Sequence, residues 1–224
     1  MMRKLIGVAV AGAFAMTMIG TGAASARAAD ATLNVVHGIP GLTVDVCVNG
    51  DTAISDFMPG DVVAGVKLPA GTYHLGVVAA GAKCSAEILA ANATVAGGRN
   101  YTVVANLNAS GTPNLKIFTN NVTKVDHGDV RLQVRHTAEA PAVNVWANGS
   151  PLSRGNKFTW GQKRVWTVPE GNYRVKVTLP GSSKAVIGPA TLKTEAGYAY
   201  QVYAWGNASA GFDLAVVPVW VGQK

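Results

Sequence analysis

The chain has 224 residues, of which 49% are hydrophobic and 14% charged, and it carries a formal net charge of +7. It is long enough for one large domain or two small ones, too apolar for a disordered chain, and its 26 glycines and 10 prolines follow no collagen-like period. Scarce charge beside abundant Val, Thr, Ala and Gly argues for β structure over a helical bundle.

The first predicted element is an export signal over residues 1–28. Arg3 and Lys4 precede an apolar run from Leu5 to Ile19, and small residues lead to an A-x-A cleavage site at Ala26-Arg27-Ala28. The run is shorter than the ~20 residues a transmembrane helix needs. The expectation is a secreted or cell-wall-associated chain starting near Ala29, with no membrane contact after cleavage and no encounter with nucleic acid. Losing Arg3, Lys4 and Arg27 leaves 16 bases against 12 acids, a net charge of +4.

The first unit is expected over residues 29–126. Val44, Val46 and Val48 alternate with Asp45, Cys47 and Asn49, the period-two pattern of a strand with one buried face. Asn49-Gly50 follows as a hairpin turn, since both residues tolerate positive φ. Asp45, Asp51, Asp56 and Asp61 read as a solvated surface, or at most a weak calcium site without EF-hand spacing. Pro69-Ala70-Gly71 turns the chain into a strand at Tyr73–Ala79, with the tyrosine ring at the sandwich rim and its hydroxyl near a backbone acceptor. An exported chain with only Cys47 and Cys84 is expected to bond them. The bridge requires the Cys84 segment to cross the strand of Cys47.

The second unit, residues 127–224, repeats the first. HGIPGLTVDVCVNG from His37 returns as HTAEAPAVNVWANG from His136, an offset of 99. The Pro69-x-Gly71-x-Tyr73 turn returns at Pro169-x-Gly171-x-Tyr173, and Tyr101 returns at Tyr200. The boundary is expected near Asp126-His127-Gly128. No sustained helical stripe interrupts either copy, so the fold class is all-β: two tandem antiparallel β-sandwiches, immunoglobulin-like or transthyretin-like, after a signal peptide.

The second copy, from Arg135-His136-Thr137-Ala138 through Ala140-Pro141-Ala142-Val143-Asn144-Val145-Trp146-Ala147-Asn148-Gly149, resembles the domain-of-unknown-function 4397 family. So do the Pro-x-Gly-x-Tyr turns and the strand starts ending at Tyr101 and Tyr200. The resemblance covers both units and implies an exported bacterial β-sandwich module. It implies no activity and supplies no catalytic residues.

Catalytic patterns are sparse. The four histidines, His37, His74, His127 and His136, have no metal-ligand spacing, and no Gly-x-Ser-x-Gly elbow occurs. His37 and His136 read as strand-end imidazoles bonding a turn, with a metal shared with Asp45 or Asn144 as the rival idea. No catalytic residue, metal or cofactor is assigned.

The units differ in charge. Residues 30–126 hold five bases and seven acids, whereas 127–224 hold eleven bases, five acids and all five tryptophans. Tryptophan beside Lys and Arg suits sugar stacking or anionic polymers. A ligand surface is therefore expected around Trp146, Trp160, Trp166 and Arg164, facing a cell-wall polymer or a surface protein. The expected function is non-enzymatic envelope or extracellular binding or adhesion. The rivals are a secreted hydrolase with a site between the units and a purely structural envelope spacer.

Overall fold

The computed structural model describes residues 29–152 and 158–224. The expected export signal lies outside the described residues. Among the described residues every regular element is a β-strand. The first unit contains β1 (Ala31–Gly38), β2 (Val44–Val48), β3 (Asp51–Phe57), β4 (Val62–Leu68), β5 (Gly71–Ala79), β6 (Leu89–Val95), β7 (Asn100–Leu107) and β8 (Pro113–Thr119). The second contains β9 (Asp129–His136), β10 (Asn144–Ala147), β11 (Ser150–Pro151), β12 (Lys163–Pro169), β13 (Gly171–Thr178), β14 (Ala185–Thr194), β15 (Tyr198–Asn207) and β16 (Gly211–Trp220).

Each unit is a sandwich of two four-stranded sheets. In the first they run β4-β1-β7-β8 and β3-β2-β5-β6; in the second, β12-β9-β15-β16 and β11-β10-β13-β14. The immunoglobulin order keeps the first two strands in one sheet. Here β1 and β2 lie in opposite sheets. Among the named strands pairing is antiparallel except that β1 runs parallel to β7 and β9 parallel to β15.

The period-two faces pack as their spacing dictates. Val44 and Val46 meet Leu33, Val35, Tyr101 and Val103 in the first core. Val143 and Val145 meet Leu132, Val134, Tyr200 and Val202 in the second. Both Asn-Gly dipeptides are hairpin turns with positive φ, 52° and 92° at Asn49-Gly50 and 48° and 80° at Asn148-Gly149. These are the backbone signs a type I′ turn requires. Each asparagine carboxamide accepts a backbone N–H from the neighbouring strand, that of His74 at 2.9 Å and that of Arg174 at 2.8 Å.

The repeated tyrosines pin the rims. The hydroxyls of Tyr73 and Tyr173 donate to the carbonyls of Pro69 and Pro169, at 2.9 and 2.5 Å. Those of Tyr101 and Tyr200 accept the N–H groups of Ala96 and Glu195. The repeated histidines are equally matched. Nε2–H donates to the carbonyl five residues on, from His37 to Leu42 at 2.7 Å and from His136 to Pro141 at 3.0 Å. A carbonyl only accepts, so Nε2 carries the proton. Burial lowers both imidazole pKa values from the ordinary one, opposed by those carbonyl bonds.

Asp45 is not part of a solvated surface. It is 6% exposed. Its carboxylate accepts the N–H of Asp56 at 2.8 Å and of Gly81 at 2.9 Å. A carboxylate leaves water when backbone donors replace its hydration, and here those donors tie β3 and the loop after β5 onto β2. Asp51 and Asp56 are exposed, and Asp61 accepts the N–H of Met58.

Cys47 and Cys84 form the disulfide, with Cα atoms 5.9 Å apart. The segment after β5 folds back over the outer face of β2, leaving Cys47 only 1% exposed. The closed loop separates the cysteines by 37 positions. Chain entropy assigns such a loop about 4 kcal/mol. Reduction should therefore lower the melting temperature by a large margin, measurable by calorimetry with and without reductant; an unchanged transition would refute the assignment of the bridge as a stabiliser.

A second prediction follows from the histidines. Their folded pKa values lie below the unfolded value of about 6.5. The unfolded chain therefore binds more protons below that pH, so stability is full above it and declines on acidification. His74 contributes with the opposite sign, because hydrogen bonds to Glu87 and Asn92 raise its pKa. Melting temperature should fall from pH 7.5 to pH 5, and the paired substitutions His37→Gln and His136→Gln should flatten that decline. An equally steep decline in the double variant would remove the histidines as its cause.

Candidate functional site

The two sandwiches pack sheet on sheet. The face of β4-β1-β7-β8 turned away from the first core lies against that of β12-β9-β15-β16. An apolar cluster spans them, with Val36, Val104 and Phe118 from one side and Tyr203, Ala215 and Val217 from the other. Trp205 of β15 reaches across the join. Its ring lies 2.8 Å from where a Cβ at Gly60 would stand, and Gly60 also needs φ of +92°.

Beside that cluster runs a buried polar seam built by β9. Its alternate side chains Arg131, Gln133 and Arg135 point away from the second core and grip the 120–128 linker. Arg131 Nη1–H donates to the carbonyl of Thr123 at 2.5 Å. Gln133 pairs with the backbone of Asn121 twice, accepting its N–H and donating to its carbonyl. Arg135 Nη2–H donates to Asn120 Oδ1 at 2.7 Å, while Nη1–H donates to Gln201 Oε1 and the Tyr203 hydroxyl. The guanidinium carbon sits 4.8 Å from the Phe118 ring and 5.1 Å from that of Tyr203.

Arg135 is 0% exposed. The ion pairs among the described residues are His74–Glu87 and Lys224–Asp126, so no carboxylate compensates this charge. Neutral oxygens and two aromatic faces do so instead. Burial lowers the Arg135 pKa and pushes the Tyr203 phenol up to about 12, opposed by Arg135 and a hydrogen bond with Thr102. Other bonds cross the join. The Asn106 carboxamide donates to the carbonyl of Thr137 at 3.1 Å, and the Trp160 indole to that of Leu107 at 2.9 Å.

Where the sheets of the second sandwich part, between β14 and β16, the join opens into a cleft of about 1040 Å³. Its floor is aliphatic, with Val134, Val145, Val177, Ile187, Val202 and Val216. Its roof is the β3–β4 connection of the first unit, Ile54 to Val63. Asp56, Asp61, Lys176, Lys193 and Asp213 stand among the lining residues. The volume sits at the upper end of small-molecule sites, and an apolar floor is their usual composition.

The sequence-predicted surface residues do not come together. Trp166 and Arg164 lie on β12 opposite Leu132 and Val134 and turn into the second sandwich, where Trp166 packs on the core and Arg164 lies 5.9 Å from the Phe158 ring. Trp160 belongs to the join, with Lys116 Nζ 4.5 Å above its ring. Trp146 lies on the outer face of the other sheet, donating to Thr178 Oγ1 at 3.0 Å, with Lys176 Nζ 5.1 Å away. Sequence reasoning missed Arg135 and, although a site between the units stood among its rival readings, named none of the cleft's lining residues. The signal for Arg135 was present as alternation in Val130-Arg131-Leu132-Gln133-Val134-Arg135, which reads equally well as a solvent face.

The profile of the family described as "Domain of unknown function (DUF4397)" matches residues 31–146 and again 137–219. The chain belongs to the DUF4397 family. No curated protein matches this DUF4397 chain. Among solved structures it is similar to one described as a "putative cell adhesion protein" from Bacteroides ovatus, at 10% identity and a TM-score of 0.23, covering 88% of this chain and 98% of the other.

Removing Arg135 orphans Asn120 Oδ1 and Gln201 Oε1 inside the join, and a broken buried polar set of this kind costs about 3 kcal/mol. Arg135→Met should therefore split a single calorimetric transition into two as the sandwiches uncouple, while Arg164→Met should shift it little. A single transition at the native temperature in Arg135→Met would contradict the coupling role.

Proposed function

We propose that this DUF4397 protein is an exported, non-enzymatic binding module of the cell envelope, and that its binding site is the cleft at the join. The cleft carries the reading. It is large, its floor is aliphatic, and its walls come from both units, so a ligand entering it touches both sandwiches. Preformed walls spare a ligand the ordering cost of binding. The Cys47–Cys84 disulfide fits an oxidising compartment, where such bonds persist. His37 and His136, the titratable groups the repeat singles out, are committed to turn carbonyls and serve the fold. The ligand class this supports is an envelope component with an apolar moiety.

Two exposed lining residues offer a test that spares the core, Ser55 on β3 and Thr191 on β14. Protein recovered from the culture medium should begin near Ala29 by intact mass and should co-sediment with envelope fractions of the producing cell. Ser55→Trp and Thr191→Trp, which narrow the cleft, should each weaken that association about tenfold. Undiminished binding in both variants would move the site elsewhere, and recovery of chains still carrying Met1 would refute export with cleavage.

A further inference from the structure

A second feature also spans the join. Trp220, at the end of β16, is 60% exposed, more than any other large apolar side chain among the described residues. Yet it is held. The edge of Tyr198 meets its ring at 5.1 Å and 70°. A Cβ at Gly197 would collide with the ring, so the missing side chain there is the space the indole occupies. The N–H groups of Val221 and Gly222 both donate to the carbonyl of Gly197, pinning the chain just beyond. A large aromatic ring fixed in water incurs hydration cost without gaining conformational freedom, a state that suits a preorganised contact surface.

Beside this ring lies a pocket of about 350 Å³. The first unit contributes Asp30, Thr32, Lys67 and Arg99, and the second Trp220. The Lys67 ammonium is placed by a 2.7 Å hydrogen bond to Thr32 Oγ1. Arg99 is exposed, and among the described residues its guanidinium has neither an ion-pair nor a hydrogen-bond partner. Two cations against one carboxylate leave the pocket net positive. The guanidinium fork fits a carboxylate with two parallel hydrogen bonds.

We infer that this pocket binds an acidic saccharide. The apolar C–H face of one pyranose ring lies on the Trp220 indole, its carboxylate meets Arg99 and Lys67, and its hydroxyls meet Asp30 and Thr32. The inference rests on the proposed export, which brings the chain among extracellular glycans, but not on the cleft.

Trigalacturonate and the uncharged trisaccharide maltotriose serve as probes in isothermal titration of the full secreted chain. Trigalacturonate should bind measurably more tightly than maltotriose, and raised salt should narrow the difference, since exposed charges are screened. Trp220→Ala should weaken binding of trigalacturonate about tenfold, while Trp220→Phe retains most of it. Arg99→Gln should abolish the preference for the acidic sugar. Because Arg99 is exposed and unpartnered, this variant decides the matter even where Trp220→Ala fails to fold. Ser55→Trp should leave trigalacturonate binding intact, which separates this pocket from the cleft. Equal affinity for the two sugars, full binding by Trp220→Ala, or no binding at millimolar concentration would each overturn the inference.

Discussion

One fully buried cation, Arg135, organises the join on which the rest of the molecule depends. Taking a guanidinium out of water costs several kcal/mol unless its donors are met. Arg135 meets most of that demand through its two Nη groups, with Asn120 from the linker and with Gln201 and Tyr203 from its own sheet, between the rings of Phe118 and Tyr203, while its Nε–H is buried without a partner among the described residues. None of these partners ionises at neutral pH, since burial holds the Tyr203 phenol protonated. The geometry therefore tolerates little sliding. If one sandwich rotated on the other, Arg135 would exchange placed oxygens for aliphatic surface. The penalty for leaving a buried donor unmet far exceeds the net gain from making its bond. The seam thus specifies one arrangement of the units, and the adjoining apolar cluster of Val36, Val104, Ala215 and Val217 supplies the burial that makes it stable.

The duplication shows where this specificity arose. Inward positions keep their character between copies: Leu33 and Leu132, Val35 and Val134, Tyr101 and Tyr200, Val103 and Val202 all face a core. Outward positions on the same strands diverge. Thr32, Asn34 and Val36 in the first copy stand where Arg131, Gln133 and Arg135 stand in the second. Thr102, Val104 and Asn106 correspond likewise to Gln201, Tyr203 and Trp205. Small side chains on one sheet and long ones on the other let two copies of the same surface interdigitate without a like-for-like clash. Packing at interior density rewards that alternation of large and small. The same division of labour appears at position 47, where the first copy has a cysteine locked to Cys84 and the second has Trp146.

The inward half of the structure was legible because each signal is local. Alternation defines a strand face, Asn-Gly defines a tight turn, and Pro-x-Gly-x-Tyr defines a rim whose hydroxyl finds a carbonyl four residues back. The outward half was not, because its causes lie in another copy of the fold. Arg131, Gln133 and Arg135 alternate with Val130, Leu132 and Val134 just as a solvent-facing row does, and periodicity carries no information about what covers a face. Asp45 was misplaced for a related reason, since its donors at Asp56 and Gly81 are distant in sequence. The tryptophans were counted as a group because composition groups them. In the fold they part to a core, a join and an outer face, and the one left widely exposed is Trp220.

That redistribution changes what the charge asymmetry means. Read along the chain, the basic, tryptophan-bearing second unit looks like the binding half and the acidic first unit like its support. In space neither concave feature belongs to one half. The cleft takes its floor from the second sandwich and its roof from the β3–β4 connection of the first. The pocket at Trp220 takes its aromatic ring from the second and both of its cations, Lys67 and Arg99, from the first. A site divided in this way exists only while the join holds, so a substitution at Arg135 acts on both features at once without touching either. Two copies of one module thereby acquire surfaces that neither copy has alone, and the residues that make this so sit on faces a lone sandwich would present to water.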